Sequence, residues 1–256
     1  MIANYHTHTW RCKHAYGREE EYVDNALKAG LKILGFADHT PYIFPGNYYS
    51  TFRMEMHLLN DYVRKIFELR KIYAGQIRIP LGLETEYYPK HFGQLMEFLR
   101  DHPIDYLILG QHFVRNEYDA PYNGLMTEDK SLLKTYVNQT CDAMNTGLFT
   151  YFAHPDLIHF CGDGKTYQEY MRTICREAKS CDIPLELNLL GLANGRNYPN
   201  PLFWELVAEE GCRVILGMDA HNPEAILDKD IERRGLEFLD RFGLKPQSTV
   251  ELRKLN

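Results

Sequence analysis

A chain of 256 residues and 30.0 kDa, 45% hydrophobic, 25% charged and 13% aromatic, has the composition of an ordinary globular protein and excludes disordered and fibrous classes. Its net charge of −6 lacks the broad positive field that carries non-specific nucleic-acid binding, so any phosphate site is expected to be local and no nucleic-acid partner is expected. Nowhere do about eighteen apolar residues run together, and no basic stretch leads into an apolar one at the N-terminus, which predicts a cytoplasmic protein without a membrane partner.

Seven short apolar runs alternate with segments of helical periodicity, the pattern of βα units in a parallel sheet. The first run, 2–6, precedes a helix predicted over 19–29 that closes on Gly30, and the second, 33–38, precedes one over 52–74 that closes on Gly75. Runs at 77–87 and 105–114 flank a helix at 91–102, and a helix at 130–146 closes on Gly147. The run at 151–154 leads to a helix at 167–181, where Thr166 and Glu169 have capping-box spacing. The run at 184–192 leads to a helix at 201–210, where Asn200-Pro201 gives an N-cap followed by proline at the first helical position. A last run at 213–219 precedes a helix at 223–242 and a tail of about a dozen residues. Neither a fixed-period repeat nor a Gly/Ser-rich or Pro-rich linker divides the chain, so 1–256 reads as a single domain. Oligomeric state leaves no signature.

The polar residues decide between an open sheet and a barrel. They fall at the downstream ends of the runs, as when a barrel converges its strand ends on one face, whereas an open sheet gathers its site at one switch point. His6-Thr7-His8 ends the first run, and alternation points both imidazoles the same way. Alone this pair is weak, because 11 histidines in 256 residues give roughly half an HxH pair by chance. His14 follows in the next loop, Asp38-His39 ends the second run, Glu84 lies in the third and His112 in the fourth. His154 ends the fifth and Asp219-Ala220-His221 the seventh, while the sixth supplies Asn188 and a loop with Arg196. Histidines that merely filled a core would have no reason to avoid the helical segments. The remaining four, His57, His91, His102 and His159, read as background.

Seven imidazoles and two carboxylates suit zinc, manganese or iron, and nine ligands are too many for one ion but fit two or three divalent metals. Glu84 is preferred over Glu86, on the same face, as the carboxylate that bridges ions. Six cysteines, Cys12, Cys141, Cys161, Cys175, Cys181 and Cys212, form no CxxC pair and read as free structural thiols in a reducing compartment.

His6-Thr7-His8, Asp38-His39, His154-Pro155 and Asp219-Ala220-His221, with Gly82-Leu83-Glu84 and Gly110-Gln111-His112-Phe113 between them, resemble the four motifs and intervening strand ends of the polymerase and histidinol phosphatase (PHP) family of phosphoesterases. The match runs in order from residue 2 to about 225. The resemblance implies a distorted (β/α)7 TIM-like barrel with its metal site at the C-terminal ends of the strands. It further implies one ion on His6, His8, Glu84 and Asp219, a second on Glu84, His112 and His154, and a third on His14, His39 and His221. Glu186-Leu187-Asn188, Gly191, Arg196 and Tyr198-Pro199 are similar to the histidinol-phosphatase branch, as is Ala153-His154-Pro155-Asp156-Leu157. The chain departs from that branch at Leu109 and Gln111, where a small Ser-Val pair is common, which bears on the shape of the pocket.

The expected activity is hydrolysis of L-histidinol phosphate, a small phosphomonoester, by hydroxide held between the ions, with Arg196 on the phosphoryl oxygens and Arg115 a second candidate. Asp219 or a neighbouring histidine such as His221 is expected to protonate the leaving alkoxide. Tyr16, Tyr42, Phe44, Tyr48, Tyr49, Tyr118, Tyr122 and Tyr198 are candidates for binding the rest of the substrate through their aromatic faces. Another small monoester, or a phosphodiester as in nuclease branches of the family, is the alternative.

Overall fold

The structure is a computed structural model and describes residues 1–46 and 48–255. Its strands are short and all pair in parallel: β1 (Ala3–Asn4), β2 (Ile33–Leu34), β3 (Phe36–His39), β4 (Leu81–Thr85), β5 (Tyr106–Leu109), β6 (Phe149–Phe152), β7 (Leu185–Asn188) and β8 (Val214–Gly217). Parallel neighbours need crossovers. Helices α1 (Glu19–Ala29), α2 (Leu59–Ile72), α3 (Phe92–Leu99), α4 (Lys130–Asn145), α5 (Gly164–Ser180), α6 (Leu189–Asn194) and α7 (Pro201–Glu210) provide them, and α8 (Lys229–Asp240) follows the last strand. Strands β3 to β8 form one sheet in chain order, and β1 pairs with β2.

The first run joins the two margins of the six-stranded sheet. On one side Gly35 N and Ala37 N donate to Asn4 O and Thr7 O at 2.7 and 2.9 Å; on the other, His8 N donates to Ala220 O at 2.9 Å and Ala220 N to His6 O at 3.1 Å. The sheet is therefore curled, and strand alternation gives it two apolar faces. Tyr106 and Ile108 of β5 point inward to Tyr5, Ala37, Tyr151, Ala153 and Ile215, whereas Leu107 and Leu109 join the layer packed against the helices.

Inside, the Tyr106 hydroxyl donates to Tyr5 O at 2.7 Å and Phe36 O at 3.2 Å, where the expected second run breaks at Gly35 into β2 and β3. The expected tail is part of the floor. Gln247 N donates to Val214 O at 2.7 Å, and Val250 and Leu252 pack on the inward-facing cluster.

Several element boundaries differ from expectation for local reasons. In the third run only Leu81–Thr85 is strand, and Pro80 just before it has no N–H to donate to a ladder. The sixth ends at Asn188, whose side chain accepts from Gly191 N and caps α6, so residues 189–192 are helical. The helix expected from 52 begins at Leu59 after a 3₁₀ turn, Met56–Leu58, because Arg53 is drawn into a buried ion-pair network. Asp163 accepts from Thr166 N and caps α5, so the Thr166–Glu169 pair lies inside the helix and is no capping box. Asn200 caps α7 ahead of Pro201 as expected, and the segment from Pro223 is a 3₁₀ turn, Pro223–Leu227, followed by α8. All six cysteines are free, and among the described residues no helix is long and apolar enough to cross a membrane.

Candidate metal centre

The register of the sheet assembles the site. His39 of β3 is paired with Glu84 of β4, so the two side chains leave the sheet side by side, with Nδ1 of His39 3.0 Å from Oε2 of Glu84. Glu84 is 1% exposed and gathers four more imidazoles: Nε2 of His154 at 2.8 Å, His112 at 3.5 Å, and His6 and His8 at 3.6 Å each. Asp219, just past β8, stands 3.4 Å from His6 Nε2 and 3.1 Å from His8 Nε2. His14 and His221 face each other with their Nε2 atoms 3.0 Å apart, and both lie beside His39.

These atoms fit bound cations. Nε2 of His6 and His8, Nδ1 of His39, Oε2 of Glu84 and Oδ1 of Asp219 are buried without a hydrogen-bond partner among the described residues. Leaving buried polar atoms open costs free energy unless something satisfies them. Donors about 2.1 Å from a tetrahedral ion stand about 3.4 Å apart, close to the spacings found here. Sets of ligand atoms that could hold an ion include His6, His8 and Asp219; His6, Glu84 and His154; and His14, His39 and His221.

Three carboxylates not among the expected ligands grip the far side of the rings. His6 Nδ1 donates to Glu186 at 2.9 Å, His8 Nδ1 to Asp38 at 3.3 Å and His112 Nδ1 to Glu86 at 2.9 Å, which fixes each tautomer with Nε2 free for a metal. Glu86 is in turn held by Arg53, which also donates to Glu117 and to Thr40 O. Asp38 accepts from the backbone N and hydroxyl of Thr9. Asn188 donates to Glu186 at 2.8 Å and to Asp219 at 3.1 Å, tying the ends of β7 and β8 together. Two glycines make room: a Cβ at Gly110 would lie 2.0 Å from Glu84 Oε1, and one at Gly217 would lie 2.1 Å from Glu186 Oε2.

The charges follow. Burial would raise the Glu84 carboxyl, but His112, His39 and His6 hold it well below the usual range, and His6, His221 and His8 do the same for Asp219. Burial disfavours a charged His6, yet Asp219, Glu186 and Glu84 outweigh it and raise the ring to about 10. Burial and then His8 lower His221 to about 3, against the pull of Asp219.

A cavity of about 550 Å³ opens on this cluster, lined also by Tyr16, Phe52, Phe113, Tyr122, Leu190, Asn194, Arg196, Tyr198 and Asn222. Arg196 donates to the Tyr198 hydroxyl at 2.5 Å. Of the expected aromatic contacts only Tyr16, Tyr122 and Tyr198 reach the cavity. Tyr42, Phe44, Tyr48 and Tyr118 pack on one another beside Arg53, and Tyr49 lies under Lys13. Arg115 is not brought to the site: it is exposed and turned toward Asp119. Gln111 does not narrow the pocket, because its buried amide accepts from Tyr87 N at 3.0 Å and donates to Phe113 O at 2.6 Å.

Sequence reasoning named Glu186 only within a resembling segment and gave it no role at the site, although Glu186 and Asn188 show the same alternation as Glu84 and Glu86. It also took Cys12 as merely structural, whereas one atom each of His8, Cys12 and His221 lie within 4.8 Å of one another.

The chain is similar to known proteins in sequence and in fold. A chain named probable histidinol-phosphatase from Deinococcus radiodurans is 29% identical over 228 residues, covering 87% of each chain. Another of that name from Schizosaccharomyces pombe is 24% identical over 281 residues, covering 98% of this chain and 90% of its own. In fold, the chain is similar to a histidinol phosphate phosphatase from Lactococcus lactis subsp. lactis crystallised with zinc, L-histidinol and phosphate. That likeness has a TM-score of 0.74 and 19% identity over 99% of this chain and 98% of the other. Residues 4–189 match the PHP domain, and the chain belongs to the PHP family.

Proposed function

We propose that this chain is a metal-dependent phosphomonoesterase that hydrolyses L-histidinol phosphate to L-histidinol and phosphate, a step of histidine biosynthesis. The observation that carries the proposal is Glu84, a buried carboxylate ringed by five imidazole nitrogens within 3.6 Å at the floor of an aromatic-lined cavity. Relatives named histidinol-phosphatase that align along most of the chain support the substrate. In this reading 1–256 is one domain, the curled sheet is a distorted (β/α)7 barrel, and the metal site occupies the C-terminal ends of its strands.

His6, His8, Glu84 and Asp219 would hold one ion, Glu84, His112 and His154 a second, and His14, His39 and His221 a third; zinc, manganese and iron all suit these donors. When bound, such ions make hydroxide available near neutral pH and offset charge on the phosphoryl oxygens. The chain's own groups do the rest. Glu186, Asp38 and Glu86 keep the ring nitrogens aimed inward. Arg196 is the one arginine lining the cavity among the described residues, and its planar fork matches a phosphoryl group. The depressed His221 and Asp219 stand as lone-pair donors at neutral pH, the form that a metal ligand requires. Tyr16, Phe52, Phe113 and Tyr122 offer ring faces to the cationic and aromatic leaving group.

The test is phosphate release from L-histidinol phosphate against a panel of small monoesters and one diester, in protein loaded separately with manganese and with zinc. A clear preference for L-histidinol phosphate is expected. Preference for another monoester would leave the metal centre standing and remove the substrate; preference for the diester would favour the nuclease-like alternative.

A further inference from the structure

The segment that carries Arg196 is moored to the strand end that carries His154. Asp156, 1% exposed, follows His154 by two residues, and its Oδ2 alone accepts both Asn200 N at 2.6 Å and Trp204 Nε1 at 3.1 Å. From the other direction, Asn197 Nδ2 donates to the backbone carbonyls of Asp156 and Leu157 at 3.4 and 2.9 Å. These two moorings bracket Tyr198, whose ring centroid lies 5.7 Å from that of His154 and whose hydroxyl accepts from Arg196. Arg196 itself reaches no carboxylate among the described residues, so its placement over the cavity depends on this loop and on its own backbone bond to Gly191 O.

We propose that Asp156 is a positioning residue for the hydrolysis: it docks residues 196–200 against the end of β6 and so places the Arg196 guanidinium in the cavity that His154 also lines, where it meets the phosphoryl group. The proposal rests on the reading of Arg196 as the phosphate contact and adds the residue that sets it. Because both donors converge on one oxygen, an asparagine presenting its amide oxygen at that point keeps both bonds. Alanine keeps neither and leaves the buried Trp204 donor and the part-buried Asn200 N–H open.

The experiment is steady-state hydrolysis of L-histidinol phosphate by wild type, Asp156→Ala, Asp156→Asn, Arg196→Ala and the double variant D156A/R196A, with metal content measured on each. D156A is expected to raise KM about tenfold with a smaller change in kcat, D156N to restore KM to within about twofold, and metal content to stay at the wild-type value. Since Asp156 acts through Arg196, the double variant should be no worse than R196A alone. Losses that multiply in the double variant, an unchanged KM in D156A, or no rescue by D156N would overturn the proposal. An unchanged KM in R196A would remove the phosphate contact itself and the proposal with it. Should D156A be insoluble, Asn197→Ala cuts the opposite mooring and must raise KM in the same direction; an unchanged KM there would equally overturn the proposal.

Discussion

The carboxylate of Glu186 accepts from His6 Nδ1 at 2.9 Å, on the side of the ring away from Glu84 and Asp219. The bond fixes the tautomer and makes Nε2 a better lone-pair donor. Glu186→Gln, isosteric but uncharged, should weaken metal binding or activity about 10- to 100-fold while the fold is kept. Competition against a chromophoric chelator measures this; wild-type affinity in the variant would mean that Glu186 serves packing alone.

Gly110 and Glu84 make a steric prediction. A methyl group at 110 would lie 2.0 Å from Glu84 Oε1, so Gly110→Ala must displace the carboxylate on which five imidazoles converge. Activity should fall at least about 100-fold, the scale of a loss from misplaced catalytic groups. Metal content should fall with it, and retention of both would show that Glu84 has another usable position.

The three proposed ion sets differ in charge. His6, His8, Glu84 and Asp219 include two carboxylates, Glu84 with His112 and His154 includes one, and His14, His39 and His221 include none. In the last set His14 is exposed, and Nδ1 of His14 and of His221 meet the backbone carbonyls of Cys12 and Asp219, His221 also standing 3.4 Å from Asp219 Oδ1. The ion on the three histidines should leave first under stepwise dialysis against chelator, and His14→Ala should lower the metal content by about one per chain without touching the rest. Simultaneous loss of all ions would contradict this order.

Burial raises the Asp156 carboxyl to about 7, against the lowering influence of the bond from Asn200 N. A carboxyl raised above its unfolded value of about 3.9 costs stability as pH rises, because between the two values the folded state binds the extra proton. Asp156→Asn is free of this cost. Its melting temperature should gain on wild type as pH rises from about 4 to about 7 and keep a constant lead above that. A lead that does not change with pH would place the ionisation elsewhere.

Much of this was legible in the sequence because the strand ends and the expected ligands coincide. Each of the nine expected ligands reaches the cluster, and Glu84 and Glu86, which alternation put on one face, have different duties: Glu84 among the imidazoles, Glu86 behind His112 and against Arg53. What was not legible depends on tertiary contacts. The first residues of the segment expected as a helix from 52 are held out of it by Arg53, which closes on Glu86 and Glu117, partners 33 and 64 residues away. Asp163 took the capping role assigned to Thr166 because the cap is decided by which side chain reaches the open N–H groups, and spacing alone admits both. Arg115 was the second phosphate candidate after Arg196 in sequence, and only the moored loop turns its arginine over the cavity.

Under the proposed function, Glu84 joins the ions that would carry out phosphate-ester hydrolysis. Its most direct test is metal content and phosphate release from L-histidinol phosphate in wild type and Glu84→Gln, each reconstituted with manganese or zinc. The variant, whose amide supplies a single neutral oxygen donor, is expected to bind fewer ions and lose nearly all activity while remaining folded. A Glu84→Gln protein with wild-type metal content and turnover would contradict it.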